Sequence, residues 1–190
     1  MAQLFLVKHA LPEIKPDVPA KTWRLGERGR AQSALLAEAL RPYRPGVVIT
    51  SDEPKAAETG QVVADVLLLP CRAAPNLHEN DRSGFPYFED LDDLEAALRT
   101  FFDQPDERVI GRESAHEAQQ RFVRAVKEVL EPHPEQDAVL VAHGTVNTLL
   151  AAAHNPVAPF TLWRAWPLAG FAVLSRPDFG LLEGPLPRSD

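Results

Sequence analysis

Apolar residues follow two patterns along this chain. Short runs with almost no polar face, Leu4-Phe5-Leu6-Val7, Val47-Val48-Ile49-Thr50 and Ala138-Val139-Leu140-Val141-Ala142, read as strands buried on both sides, the habit of parallel sheets. Longer segments space apolar residues as a helix does, with Ala31, Leu35, Leu36 and Leu40 predicting a helix from about Arg28 to Leu40. Pro42 and Pro45 end it. Ser51-Asp52 ahead of Pro54 predicts the next helix start, a capping side chain followed by a proline in the first turn. That helix runs to about Leu67, and Cys71–Ala74 makes a short third strand. Pro75, Gly84 and Pro86 mark residues 75–90 as a surface loop. Helices over Leu91–Phe102 and Glu113–Leu130, the strand at Ala138–Ala142, a helix over Thr145–Ala153 and a last strand over Gly170–Leu174 complete the pattern. Residues 185–190 read as a frayed tail.

Strands alternating with helices predict βαβ units: an α/β three-layer sandwich, with a mainly parallel central sheet and helices on both faces. No repeat, low-complexity tract or linker interrupts residues 1–190, so the expectation is a single domain. Parallel packing has a geometric consequence. Two of the buried runs end in histidine, at His9 and at His143, 134 positions apart. Ligands of open α/β sheets bind just outside the carboxyl ends of the strands. His9, the Thr50-Ser51 turn and His143 should therefore share one edge, with Lys55 leaning over it from the first turn of the following helix.

Composition narrows the picture. A formal charge of −7 argues against broad binding to nucleic acid or anionic membrane, which wants a basic surface, though a small basic pocket stays compatible with it. The first strand begins too near the N-terminus to leave room for a signal segment, and Val62–Cys71, the longest greasy stretch, holds Asp65 and Pro70 and is too short to span a bilayer. The single cysteine, Cys71, rules out an internal disulfide and reads as a buried core thiol. These features predict a cytoplasmic protein.

Five ordered modules carry a family resemblance. Leu6-Val7-Lys8-His9-Ala10 resembles the Arg-His-Gly signature of the histidine phosphatase superfamily, whose fold is phosphoglycerate mutase-like. Leu25 to Gln32 resembles its Leu-Thr-Glu-x-Gly-x-x-Gln stretch, and Thr50 to Thr59 its Ser-Ser-x-x-x-Arg-Ala-x-x-Thr segment. Gly111-Arg112-Glu113-Ser114 resembles its Gly-Gly-Glu-Ser element, and Val141-Ala142-His143-Gly144 its second histidine. The likeness covers residues 3–152.

The resemblance implies a metal-independent phosphomonoester hydrolase acting on a small phosphorylated metabolite through a phosphohistidine on His9, without cofactor or metal. Neutral imidazole is a competent nucleophile when a backbone carbonyl holds its other nitrogen. Lys8, Lys55 and protonated His143 would balance the phosphoryl charge, and Gly144 would add a backbone N–H at a helix start. Glu79, with Asp81 as fallback, would protonate the leaving group. The ligand is then a small phosphorylated molecule or inorganic phosphate. A homodimer stays open.

The chain departs from the family where phosphate is gripped. Both arginines are replaced, by Lys8 and Lys55, in a sequence with fifteen arginines against five lysines, and the glycine after the nucleophile is Ala10. Lysine meets phosphate as a point charge and lacks the guanidinium fork. Two alternatives follow: a catalytically weak phospho-ligand-binding pseudoenzyme, and phosphoglycerate mutase-type transfer. The short chain and the missing Gly-x-x-x-Glu-Gly run weigh against transfer. His78, His116, His133 and His154 lack metal-ligand spacing, leaving His78 as a pocket wall and the others on the surface. Trp163, Trp166 and Phe171 read as core, and Glu27, Arg28 and Arg30 as a solvated helix face.

Overall fold

A computed structural model describes residues 2–85 and 87–186. Among these residues six strands form one sheet: β1 (Gln3–Lys8), β2 (Val47–Ser51), β3 (Cys71–Ala74), β4 (Ala138–Ala142), β5 (Phe171–Ser175) and β6 (Leu181–Leu186). Their order is β3-β2-β4-β1-β5-β6, parallel from β3 to β1 and antiparallel across β5 and β6. Among the described residues six α-helices accompany them: α1 (Glu27–Leu40), α2 (Pro54–Leu67), α3 (Leu91–Asp103), α4 (Ala115–Leu130), α5 (Gly144–His154) and α6 (Pro159–Ala165).

Strand alternation divides the core in two. Leu4, Leu6, Ile49 and Leu140 pack against Phe122 and Val126 of α4 and Leu150 of α5. Phe5, Val7, Val48 and Val141 face Leu36 and Leu40 of α1 and Val63 of α2. Both sheet faces are therefore covered, as the unbroken apolar runs require. A satellite cluster gathers Leu98 and Phe101 of α3, Ala118 of α4 and Phe160 of α6. Close approach of α2 to β2 depends on Gly60, where a Cβ would stand 2.2 Å from Thr50 Cγ2.

The expected three-layer α/β sandwich is the one observed, with local differences. α6 was not anticipated, because seven residues hold too little periodicity to reveal a helix. β6 is a further difference: residues 185 and 186, expected in a frayed tail, continue a strand paired with β5; residues 187–190 lie outside the described residues. α4 begins at Ala115, with Ser114 and Glu117 forming a capping box, so Glu113 lies ahead of the helix. Ser51 is no cap: Glu53 takes the N-cap position of α2, and Ser51 ends β2. Cys71 is only half-buried, because β3 is an edge strand. Among the described residues, no helix is long and apolar enough to cross a membrane.

Candidate active site

Register alone brings the histidines together. Lys8 pairs with Ala142 across β1 and β4, so the next residue on each strand is a histidine, and the His9 N–H donates to the Ala142 carbonyl at 3.0 Å. The two rings stand 5.3 Å apart between centroids, tilted by 62°. His9 Nδ1 lies 2.8 Å from the Ala10 carbonyl oxygen. Only a donor suits that acceptor, so the Nδ1–H tautomer is selected and Nε2 keeps its lone pair. The Ala10 N–H in turn donates to Thr59 Oγ1 at 3.0 Å, tying the loop after β1 to the first turns of α2.

His143 is fully buried. Its Nε2 lies 2.9 Å from Ser51 Oγ, which already accepts the Glu53 N–H. Donation by the Ser51 hydroxyl to Nε2 satisfies both groups and leaves the proton of a neutral imidazole on Nδ1. That Nδ1 has no hydrogen-bond partner among the described residues, an orphan donor awaiting an acceptor. Burial first, and then Lys55, holds His143 down at about 3, so the ring is neutral in the unliganded site. Burial, then His143 and Lys55, also lowers His9 well below the ordinary imidazole range, as a nitrogen nucleophile needs.

Both lysines reach the site already engaged. Lys55 Nζ lies 2.5 Å from Glu53 Oε2 and donates to the Ala20 carbonyl at 2.8 Å. Lys8 Nζ donates to the Trp166 carbonyl at 2.9 Å and stands 5.7 Å from the centre of the Trp163 ring. Burial lowers the Lys8 pKa, with Glu79 opposing and Arg82 adding to the effect. Gly144 leaves the room for this side chain, since a Cβ there would meet Lys8 Cε at 3.1 Å. Trp166 and Phe171 are core as expected, at 2 % exposure each. Trp163 is the exception: it lies only partly buried, with Lys8 over its ring and Nε1 close to Gly144.

Glu79 sits at the start of α5. Its carboxylate accepts the N–H groups of Thr145 at 3.1 Å, Val146 at 3.2 Å and Asn80 at 3.0 Å. Burial pushes the carboxyl up, but Arg82, His143 and these N–H groups together outweigh it and hold Glu79 at about 2. The anion-favouring end of α5, expected to face a ligand, is thus largely occupied by the protein's own carboxylate. Asp81, the fallback, caps its own turn by accepting the Ser83 N–H at 2.9 Å.

Four residues at this edge carry contacts that sequence reasoning missed. Glu53 holds Lys55 and accepts the Glu79 N–H at 3.1 Å. Arg82 donates to Asn80 Oδ1 and Thr145 Oγ1, both at 3.0 Å. Glu113 accepts the Asp81 N–H at 3.1 Å and pairs with Arg121. Arg121 donates to the carbonyls of Asn76, His78 and Glu79, clamping the whole segment after β3. The Gly-Arg-Glu-Ser module pointed to Glu113; loop spacing held no signal for Glu53 or Arg82. His78 lies half-buried beside the site, its Nδ1 2.8 Å from the Glu79 carbonyl, while His116 and His133 are hydrogen-bonded on the surface. Among the described residues, no three His, Cys, Asp or Glu side chains converge as a metal site.

Comparison with known proteins points the same way. The family model of the histidine phosphatase superfamily (branch 1) matches residues 4–178. No curated protein matches the chain. Among solved structures, a mycobacterial glucosyl-3-phosphoglycerate phosphatase in complex with inorganic phosphate superposes with TM-score 0.72 at 23 % identity, covering 92 % of this chain and 90 % of that one. A phosphoserine phosphatase mutant from Entamoeba histolytica in complex with phosphoserine gives 0.76 at 13 % identity, covering 96 % of each chain. YhfR of Bacillus stearothermophilus gives 0.74 at 20 % identity, covering 95 % and 94 %. At such identities the likeness is one of fold.

Proposed function

Because the chain belongs to the histidine phosphatase superfamily, we propose that it hydrolyses phosphomonoesters of small metabolites through a phosphohistidine on His9, without a metal. The observation that carries this reading is the facing pair of rings: His9 with Nδ1 committed to the Ala10 carbonyl, and His143 with a buried Nδ1 that has no partner among the described residues. The His9 Nε2 lone pair forms the N–P bond as the ester P–O bond breaks, and the departing oxygen takes a proton from Glu79. Water then attacks phosphorus and gives its proton to Glu79 as the N–P bond breaks, releasing inorganic phosphate and neutral His9. Lys8 and Lys55 balance charge on the equatorial oxygens, with the Gly144 N–H and His143 Nδ1–H as further donors.

Glu79 is ionised in the unliganded site and cannot donate as it stands. A phosphate group arriving beside it adds like charge, which favours the protonated carboxyl. Binding therefore takes up a proton, and that proton is the one the leaving group receives. Two structural neighbours named as phosphatases were solved with inorganic phosphate and with phosphoserine, which fits a phosphoryl-binding edge here.

A second reading draws support from the pairing of Lys55 with Glu53: a phospho-ligand-binding module with little turnover, its grip already half neutralised. One experiment decides between them. A panel of phosphorylated metabolites is assayed with wild type and His9→Ala, with and without EDTA. Turnover by wild type alone, indifferent to EDTA, is expected. Turnover requiring a divalent ion refutes the mechanism, and no turnover together with thermal stabilisation by phosphate establishes the binding module.

A further inference from the structure

A phosphatase of this chemistry grips three oxygens, and a guanidinium does so with a planar fork that an ammonium lacks. Positions 8 and 55 offer only lysines, one tied to a carbonyl and one to Glu53. A third cation stands at the same edge. Arg82 reaches from the loop after β3 to Thr145 Oγ1 in the first turn of α5, 3.8 Å from Glu79 Oε2. After burial, its charge is among those acting on Lys8, Glu79 and His143, so it lies within electrostatic reach of the whole site.

The side chain is held ready. Nε donates to Oδ1 of Asn80, a residue only 3 % exposed whose own Nδ2 donates to the Ile110 carbonyl. The backbone beneath is pinned too. Gly111, at φ +88°, lets the chain pass so close that a Cβ would stand 2.1 Å from the Asp81 carbonyl oxygen and 2.5 Å from Arg82 Cα. The Arg112 N–H donates to that carbonyl at 2.8 Å. Arg82 Nη1, by contrast, makes no hydrogen bond among the described residues, and about a third of the side chain is open to solvent.

Resting on the phosphatase reading, we propose that Arg82 supplies the guanidinium that grips the phosphoryl group in this protein, the role vacated at positions 8 and 55. Placement by Asn80 and Thr145 leaves Nη1 to meet phosphoryl oxygens, and the approaching anion is shared between Arg82 and Lys8.

Inorganic phosphate is the probe, because it has no leaving group. Its affinity is measured by calorimetry for wild type, Arg82→Ala and Arg82→Lys, with the thermal midpoint of each unliganded protein as the check on folding. Expected is a loss of roughly 10- to 100-fold for Arg82→Ala, the scale of a charge-assisted hydrogen-bonded pair. Arg82→Lys, which keeps the charge and loses the fork, should still bind about tenfold more weakly. If Arg82→Ala lowers the midpoint and binds phosphate within twofold of wild type, Arg82 is a loop staple and the proposal falls. Unchanged phosphate affinity with a raised KM for particular esters also overturns it, making Arg82 a reader of the leaving group. Should Arg82→Ala not fold, wild-type affinity in Arg82→Lys refutes the proposal equally. Wild type that neither binds phosphate nor turns over an ester removes the phosphatase reading itself, and this assignment with it.

Discussion

Replacing Glu79 by Gln tests whether a carboxylate truly occupies the start of α5. The Glu79 carboxyl sits at about 2 against an ordinary 4.5. At about 1.4 kcal/mol per tenfold, the folded state favours the ionised form by about 3 kcal/mol. The side chain is mostly buried, 18 % exposed, so solvent screening takes little from this figure. A depressed carboxyl contributes stability that is fully present above the unfolded pKa and is lost as pH falls through the folded one. The pH-dependent part of the gap between wild type and Glu79→Gln should therefore be about 3 kcal/mol at pH 7, and about 1.4 kcal/mol at pH 3. Gln also presents an NH2 group toward the N–H groups of Thr145 and Val146, which adds a pH-independent cost of about 1–3 kcal/mol. Urea unfolding at pH 7, 5, 4 and 3 measures the gap. A gap that stays constant across this range refutes the ionised, N–H-bonded carboxylate. The same variant should lose about 10²–10⁴-fold in turnover, since an amide has no proton to give.

Other consequences are equally direct. Because burial and neighbouring cations lower His9, its nucleophilic form persists into acid, and kcat/KM should show no protonation limb between pH 6 and 7; a fall with a midpoint near 6.5 in a pH–rate profile contradicts this. Arg121→Ala leaves Glu113 buried without its partner and releases three carbonyls of the segment that carries Glu79. A loss of about 3–5 kcal/mol in denaturant unfolding, with a raised KM, is expected, and a change under about 1 kcal/mol shows that the clamp is dispensable. Phe122→Ala empties a fully buried site between α4 and the sheet and should cost about 3–5 kcal/mol in the same assay, with the pH–rate profile unmoved.

Much of the fold was legible because its signals are local. Unbroken apolar runs at β1, β2 and β4 demand cover on both faces, and three-dimensional register then places His9 beside His143 without further instruction. The long amphipathic helices announced themselves in the same way. α6 and β6 did not: one is too short for a period to show, and the other pairs with a strand that is itself an antiparallel addition.

What the sequence by itself determined is therefore the layered sheet, the histidine pair and the loss of both arginines. Tertiary structure alone decided the charges. Whether Glu53 reaches the segment that carries Glu79, whether His143 is protonated, and whether a carboxylate or a ligand occupies the start of α5 all depend on burial and on partners 26 to 92 residues away. Ionisation follows desolvation and the sum of nearby charges. Those quantities come into being only when the loop after β3 folds over the strand ends, so no reading of spacing along the chain contains them.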